Sequence, residues 1–284
     1  MKKSTRVILI TAVGLTALGI VLTLAGVIAG ASFKHIYQTG SWDTVYYDDE
    51  YDNTFRDDGV YELAAEDIND INIDWVSGDV SIISYSGSKI ILEETAEGEI
   101  TDKSFLRYRL KNGVLDVDYS TGKIGISLGS LSKEFNKKLC IKLPESLAAN
   151  LKGVDIDAVS ADIAGNGLSL DNMSIDVTSG DIRLTDMNIR DSEADTISGA
   201  LAASFNSCPE AFRFDSTSGD CKIYLPADSG FTAVIDDISG ELETEFSYHK
   251  NSDYEYVIGD GKNSFEIDTV SGDLAIRINK TANI

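Results

Sequence analysis

Two histidines and three cysteines in 284 residues leave this chain short of the side chains that most often do chemistry. His35 and His249 lie far apart with no Cys or His at ligand spacing, which argues against a zinc site. Three thiols without close spacing make no disulfide framework, and a cysteine nucleophile would lack a nearby base. No glycine-rich phosphate loop is present. The string Gly125-Ile126-Ser127-Leu128-Gly129 matches a nucleophile elbow, yet it has neither the strand, tight turn and helix that motif requires nor a histidine partner. The residues therefore assign no catalytic group and no cofactor-binding group.

Basic charge is also scarce. The chain carries 47 acidic residues, all after residue 42, against 24 basic ones, of which Lys2, Lys3 and Arg6 stand at the N-terminus. Nucleic acid and anionic membrane surfaces are poor partners for such a chain, whereas cationic peptides, metal ions and basic envelope components are electrostatically allowed.

What the sequence has in abundance is a repeat. Ser-Gly-Asp and its near variants recur seven times, each serine three residues after an aspartate, at Ser77, Ser160, Ser179, Ser198, Ser218, Ser239 and Ser271. From Ser160 to Ser239 the steps are 19, 19, 20 and 21 residues, the mark of an architecture in which each unit buries its apolar face against its neighbours. Four residues before each serine stand Ile73, Ile156, Ile175, Ala194, Phe214, Ile235 and Ile267. Three residues after it stand Val80, Ile163, Ile182, Leu201, Cys221, Leu242 and Leu274, so Cys221 reads as a small core residue. Ile82, Leu184, Ile223 and Ile276 continue the alternation, which Gly165 and Thr244 break. Each unit is thus strand, sharp corner, strand, with glycine admitting a positive φ at the corner. Ala161 and Ala200 depart from the corner pattern.

Units of about 20 residues with no helical period between them predict an all-β fold: a right-handed parallel β-solenoid over residues 150–284, the hand following the usual crossover rule. The 83 residues from Ser77 to Ser160 lack a clear corner. There Asn112-Gly113 separates two alternating runs, a strong hairpin signal, so 68–149 is expected to form an antiparallel β meander that caps the solenoid. The 32-residue step from Ser239 to Ser271 points to an inserted loop or hairpin around Tyr248 to Tyr254.

Val7 to Ala31 holds no charge over 25 residues and as a helix would span about 37 Å, enough for a tilted transmembrane anchor. Lys2, Lys3 and Arg6 place residues 1–6 in the cytoplasm and the bulk of the chain outside. Ala29-Gly30-Ala31 resembles a signal-peptidase site, but the apolar run exceeds a usual signal peptide, and an uncleaved anchor is expected. Residues 32–67, where acids alternate with aromatics, read as a stalk, or as a docking segment for a membrane protein.

Stacked turns would place Asp157, Asp176, Asp195, Asp215 and Asp236 in one column, and Asp162, Asp181, Asp220 and Glu241 in a second. Carboxylates about 5 Å apart repel by roughly 1 kcal/mol in water, so something must compensate. One reading has each aspartate accepting hydrogen bonds from its own Ser-Gly corner. The other places Ca2+ between the turns of the first column.

The chain resembles the bacterial β-strand-repeat family labelled “putative adhesins”, a domain of unknown function. The matching units are Val154 to Ile163, Met173 to Leu184, Phe212 to Leu225 and Phe265 to Ile278, and the resemblance covers about residues 68–284. It implies a β-solenoid, often behind a membrane anchor and linked to the cell envelope, and it supplies no catalytic residues. The expected function is a membrane-anchored extracytoplasmic binding or scaffold domain, not an enzyme, whose partner is an envelope polymer or a membrane or envelope protein. The alternatives are a β-solenoid carbohydrate-active enzyme, a lyase or hydrolase using clustered Asp with Arg183, Arg190 or Arg213, and an envelope-stress accessory that contacts membrane partners through the stalk.

Overall fold

The computed structural model describes residues 51–101, 104–119, 136–237 and 242–280. The expected anchor, the Gly125 to Gly129 string and Glu241 lie outside these residues. Among the described residues no helix is long and apolar enough to cross a membrane.

The fold is all-β and solenoid-like, with one four-residue helix among the described residues, α1 (Glu145–Ala148). In chain order the strands are β1 (Val60–Ala64), β2 (Asp70–Tyr85), β3 (Lys89–Ala96), β4 (Arg107–Lys111), β5 (Val114–Asp118), β6 (Lys137–Pro144), β7 (Leu151–Asn166), β8 (Ser169–Ser179) and β9 (Ile182–Ser198). They continue with β10 (Leu201–Phe205), β11 (Ala211–Ser218), β12 (Cys221–Leu225), β13 (Phe231–Asp237), β14 (Leu242–Thr244), β15 (Tyr248–Lys250), β16 (Glu255–Ile258), β17 (Asn263–Ser271) and β18 (Leu274–Ile278).

Each described corner bends the chain between two arms. Before the corner, β5, β2, β7, β8, β9, β11, β17 and β13 pair in parallel in that spatial order. After it, β6, β2, β7, β9, β10, β12, β18 and β14 form the second parallel arm. The inward columns of both arms join one hydrophobic core, in which Ile73, Phe214, Ile267, Val80 and Ile223 are fully or almost fully buried. Gly165 breaks the apolar alternation without leaving a hole, because Leu184 and Met187 fill the space where its side chain would stand.

The chain does not climb this stack in sequence order. The last unit, β17 and β18, inserts between the β11–β12 rung and the β13–β14 rung. At the other end, β2 lies between β7 and the outermost rung formed by β5 and β6. Residues 68–149 are therefore not a meander alone: they contribute two parallel rungs, and among the described residues antiparallel pairing there is confined to β4 on β5 and to β3 on β6 and β1. The Asn112-Gly113 hairpin is present between β4 and β5, with both residues at positive φ, 55° and 82°. The insertion around Tyr248 to Tyr254 is a hairpin of β15 and β16, of which β16 extends the first arm antiparallel to β13.

The stalk expected over 32–67 does not include its described part. Asp52 and Asn53 bond the backbone of β4, Tyr61 and Leu63 of β1 are buried, and Phe55 and Tyr61 pack on Phe105. Phe55 and Tyr61 cover the end of the core, which outweighs the solvation of their charged neighbours.

The corners are tied between rungs. Gly180, Gly199 and Gly219 donate their N–H groups to Ser198, Ser218 and Ser271 on the next rung at 3.0–3.2 Å. Close stacking is what demands glycine here: a Cβ on Gly180, at φ +144°, would lie 2.0 Å from the Ala161 carbonyl oxygen. Ala161 avoids this strain with an ordinary negative φ and a buried side chain. Gly180→Ala is expected to lower unfolding stability by about 1–3 kcal/mol, read from a shifted midpoint in urea. An unchanged midpoint would mean that the corner tolerates a side chain.

Candidate functional site

The aspartate column is longer than the repeat alone predicts, and its order differs. Registers place Asp118, Asp74, Asp157, Asp176, Asp195, Asp215, Asp268 and Asp236 on eight successive rungs. Asp157, Asp176, Asp195 and Asp215 are consecutive as expected, but Asp236 is not next to Asp215, because the C-terminal strand carries Asp268 between them. Asp118 was legible in a half-motif: Leu115, Val117 and Asp118 repeat the spacing of Ile71, Ile73 and Asp74, without a recognisable corner after them.

The column is electrostatically frustrated. Packing on both sides strips water from the Asp74 carboxyl, and the charges of Asp118 and Asp157 add to this, so its pKa rises to about 7. Desolvation first and like charge second push Asp157, Asp195 and Asp268 up to about 6. Asp118 and Asp176 are raised for the same first reason. Asp74 and Asp118 face each other on adjacent rungs, so each carboxyl feels its partner as well as the loss of water. On the next outward column Arg109 clasps Asp116 at 2.8 Å. Arg213 sits between Asp215 and Glu193, at 3.5 and 3.6 Å. Arg190 pairs with Asp171 and Asp191, whereas Arg183 lies on the other arm, so the three arginines do not converge.

The second acidic column is relieved differently from the expectation. Asp162, Asp181 and Asp220 accept hydrogen bonds at 2.9 Å from the backbone N–H groups of Asp181, Ala200 and Asp273 on the neighbouring rung, not from their own corners. Ala200 fits this scheme because only its N–H is used. Among the described residues no three His, Cys, Asp or Glu side chains are grouped to hold a metal ion. His249 is exposed on β15, and burial raises the Cys221 thiol.

This geometry, a bent parallel stack with one motif per rung, spans the region from β1 to β18. Residues 60–277 match the family described as Toastrack DUF4097. The chain belongs to the Toastrack family. No curated protein matches it. The Toastrack fold here is similar to a crystal structure titled a “putative cell adhesion protein” from Clostridium sporogenes, with 13% identity over 78% of this chain and 98% of that one, and a TM-score of 0.48. It is also similar to a “putative adhesin” from Bacteroides fragilis, with 10% identity over 78% and 96% of the two chains and a TM-score of 0.42. A “putative lipid binding protein” from Parabacteroides distasonis aligns with 11% identity over 78% and 96%, with a TM-score of 0.33.

Proposed function

We propose that this Toastrack protein is an adhesin-like binding or scaffold component of the cell envelope, held by a single-pass anchor at Val7 to Ala31 with its N-terminus inside and its right-handed solenoid outside. Residues 32–50 serve as the spacer or as a docking segment. The observation that carries this reading is the ladder face: eight aspartates in register along roughly 34 Å of parallel strand stacking, a repeating surface suited to an extended envelope polymer or an envelope protein. Neither a metal nor catalysis enters the proposal.

Full-length protein is expected to fractionate with membranes, to lose its solenoid to protease added outside intact cells, and to be retained on isolated envelope. A soluble chain that ignores envelope would sink the proposal. The facing carboxyls of Asp74 and Asp118 favour the enzymatic alternative, since paired carboxyls are an acid–base device. Oligosaccharides released from the same envelope by wild type but not by Asp74→Asn would replace the binding reading with that one.

A further inference from the structure

On the outer face of the second arm, far along the stack from α1, Ser204, Lys222, Tyr224, Glu245, Arg277 and Lys280 line a cleft of about 480 Å3. Three of the eight lining residues carry positive charge, in a chain with 24 basic residues against 47 acidic ones. Ser204, Tyr224 and Arg277 share one outward column on β10, β12 and β18, and Lys222 stands in the adjacent column beside Ala202 and Ala275. The small neighbours leave the ammonium group uncovered. Lys222 makes no ion pair among the described residues; its nitrogen lies 5.5 Å from the centre of the Tyr224 ring. Two rungs away on the same column, Arg183 is also without an ion pair among the described residues.

The other two cations are held in place. Arg277 pairs with Glu243 at 2.6 Å, and Lys280 lies 3.6 Å from Glu245. Glu245 also accepts the Ile278 N–H at 2.9 Å, and that bond first and Lys280 second hold its carboxyl below the usual range. Glu245 is thus committed to the backbone, and Lys222 is the lining cation without an ion pair among the described residues. We propose that this cleft binds one anionic substituent, a carboxylate or a phosphate, on a sugar. Lys222 supplies the charge, Arg277 presents its planar fork, and the Tyr224 ring offers a stacking face for the sugar. The acidic surroundings define the ligand further: Asp181, Asp220 and Asp273 border the same face on the corner column, so a dense polyanion is repelled and an isolated anion on an otherwise neutral glycan is accepted.

This inference rests on the binding reading above but concerns the opposite arm from the ladder. The test is saturation-transfer NMR on the full-length protein in detergent, with glucuronate, glucose 1-phosphate and glucose as probes. Glucuronate, glucose 1-phosphate or both are expected to bind and glucose to fail, the pattern distinguishing carboxylate from phosphate. Lys222→Glu is expected to weaken binding on the order of tenfold or more, with Lys152→Glu on the first arm as the neutral control. Equal binding of glucose, no binding of either anion, or an unchanged titration in Lys222→Glu would overturn the assignment. Envelope retention that survives Lys222→Glu, together with silent probes, removes the cleft and leaves the function standing. Probe binding without envelope retention removes the function and leaves the cleft.

Discussion

The melting temperature of this domain is expected to rise by several degrees as pH is lowered from about 8 to about 5. Asp74 reaches about 7, and Asp157, Asp195 and Asp268 about 6, because neighbouring rungs exclude water and contribute like charge. In the unfolded chain these carboxyls return to about 4. A carboxyl raised on folding binds its proton more tightly in the native state, so folding takes up protons between the two values. Its contribution to stability is complete below the unfolded value and is lost as pH climbs through the folded one. Asp58, held at about 2 by Arg56, and Glu62 and Glu245, lowered by their own partners, act in the opposite sense, and their support fades only in stronger acid. The stability maximum is therefore expected near pH 5, not at neutrality. Circular dichroism melts across this range provide the check, and Asp157→Asn combined with Asp195→Asn should flatten the profile while raising stability at alkaline pH. A profile that is flat or falls on acidification in the wild type would show that the ladder is solvated and not frustrated.

The second large effect is expected at the α1 end of the stack. Lys137 and Glu94 form an ion pair of 2.8 Å with side chains 2% and 0% exposed. The Lys137 ammonium also donates to the Ser104 carbonyl and lies 4.2 Å from the centre of the Tyr119 ring and 5.9 Å from that of Trp75. The second Glu94 oxygen accepts the Leu106 N–H at 2.8 Å. Desolvation lowers the lysine pKa, with the glutamate charge opposing it. Replacing Lys137 by Met leaves a carboxylate buried without its cation, at a cost of about 3–5 kcal/mol. Adding Glu94→Gln removes that charge while keeping an acceptor for Leu106, so the double variant is expected to recover most of the loss. Urea unfolding of both variants measures this as a coupling energy. A single variant within about 1 kcal/mol of wild type, or a double variant no better than the single, would show that the pair is not sealed from water.

Much of the site was readable from spacing alone, since the serine steps place every Asp, Ser and Gly of a unit at one height. The columns of Asp157, Asp176, Asp195 and Asp215 follow directly, because a period-two strand cannot put them on different faces. Asp118 was harder to see because only the first half of the motif surrounds it. Nothing in the spacing marks Lys137 and Glu94, two charged residues whose burial exists only once β3, β6 and the Phe105 to Tyr119 segment close around them.

By itself the repeat determined the bend at each glycine, the inward and outward columns, the all-β class and the acidic character of the ladder. These are local consequences of side-chain alternation and of a close-stacked corner that favours glycine. Tertiary structure decided the order of the rungs. Any unit with the same edge pattern can dock on any other, so identical motifs do not say which neighbour each will choose. The excursion after Ser77 builds one outermost rung, β13 and β14 form the other, and β2 and β17 are enclosed one rung in from either end. That choice puts Asp268 between Asp215 and Asp236 and joins Asp74 to Asp118. It also assembles the Lys222 cleft from β10, β12 and β18, which are not consecutive in the chain.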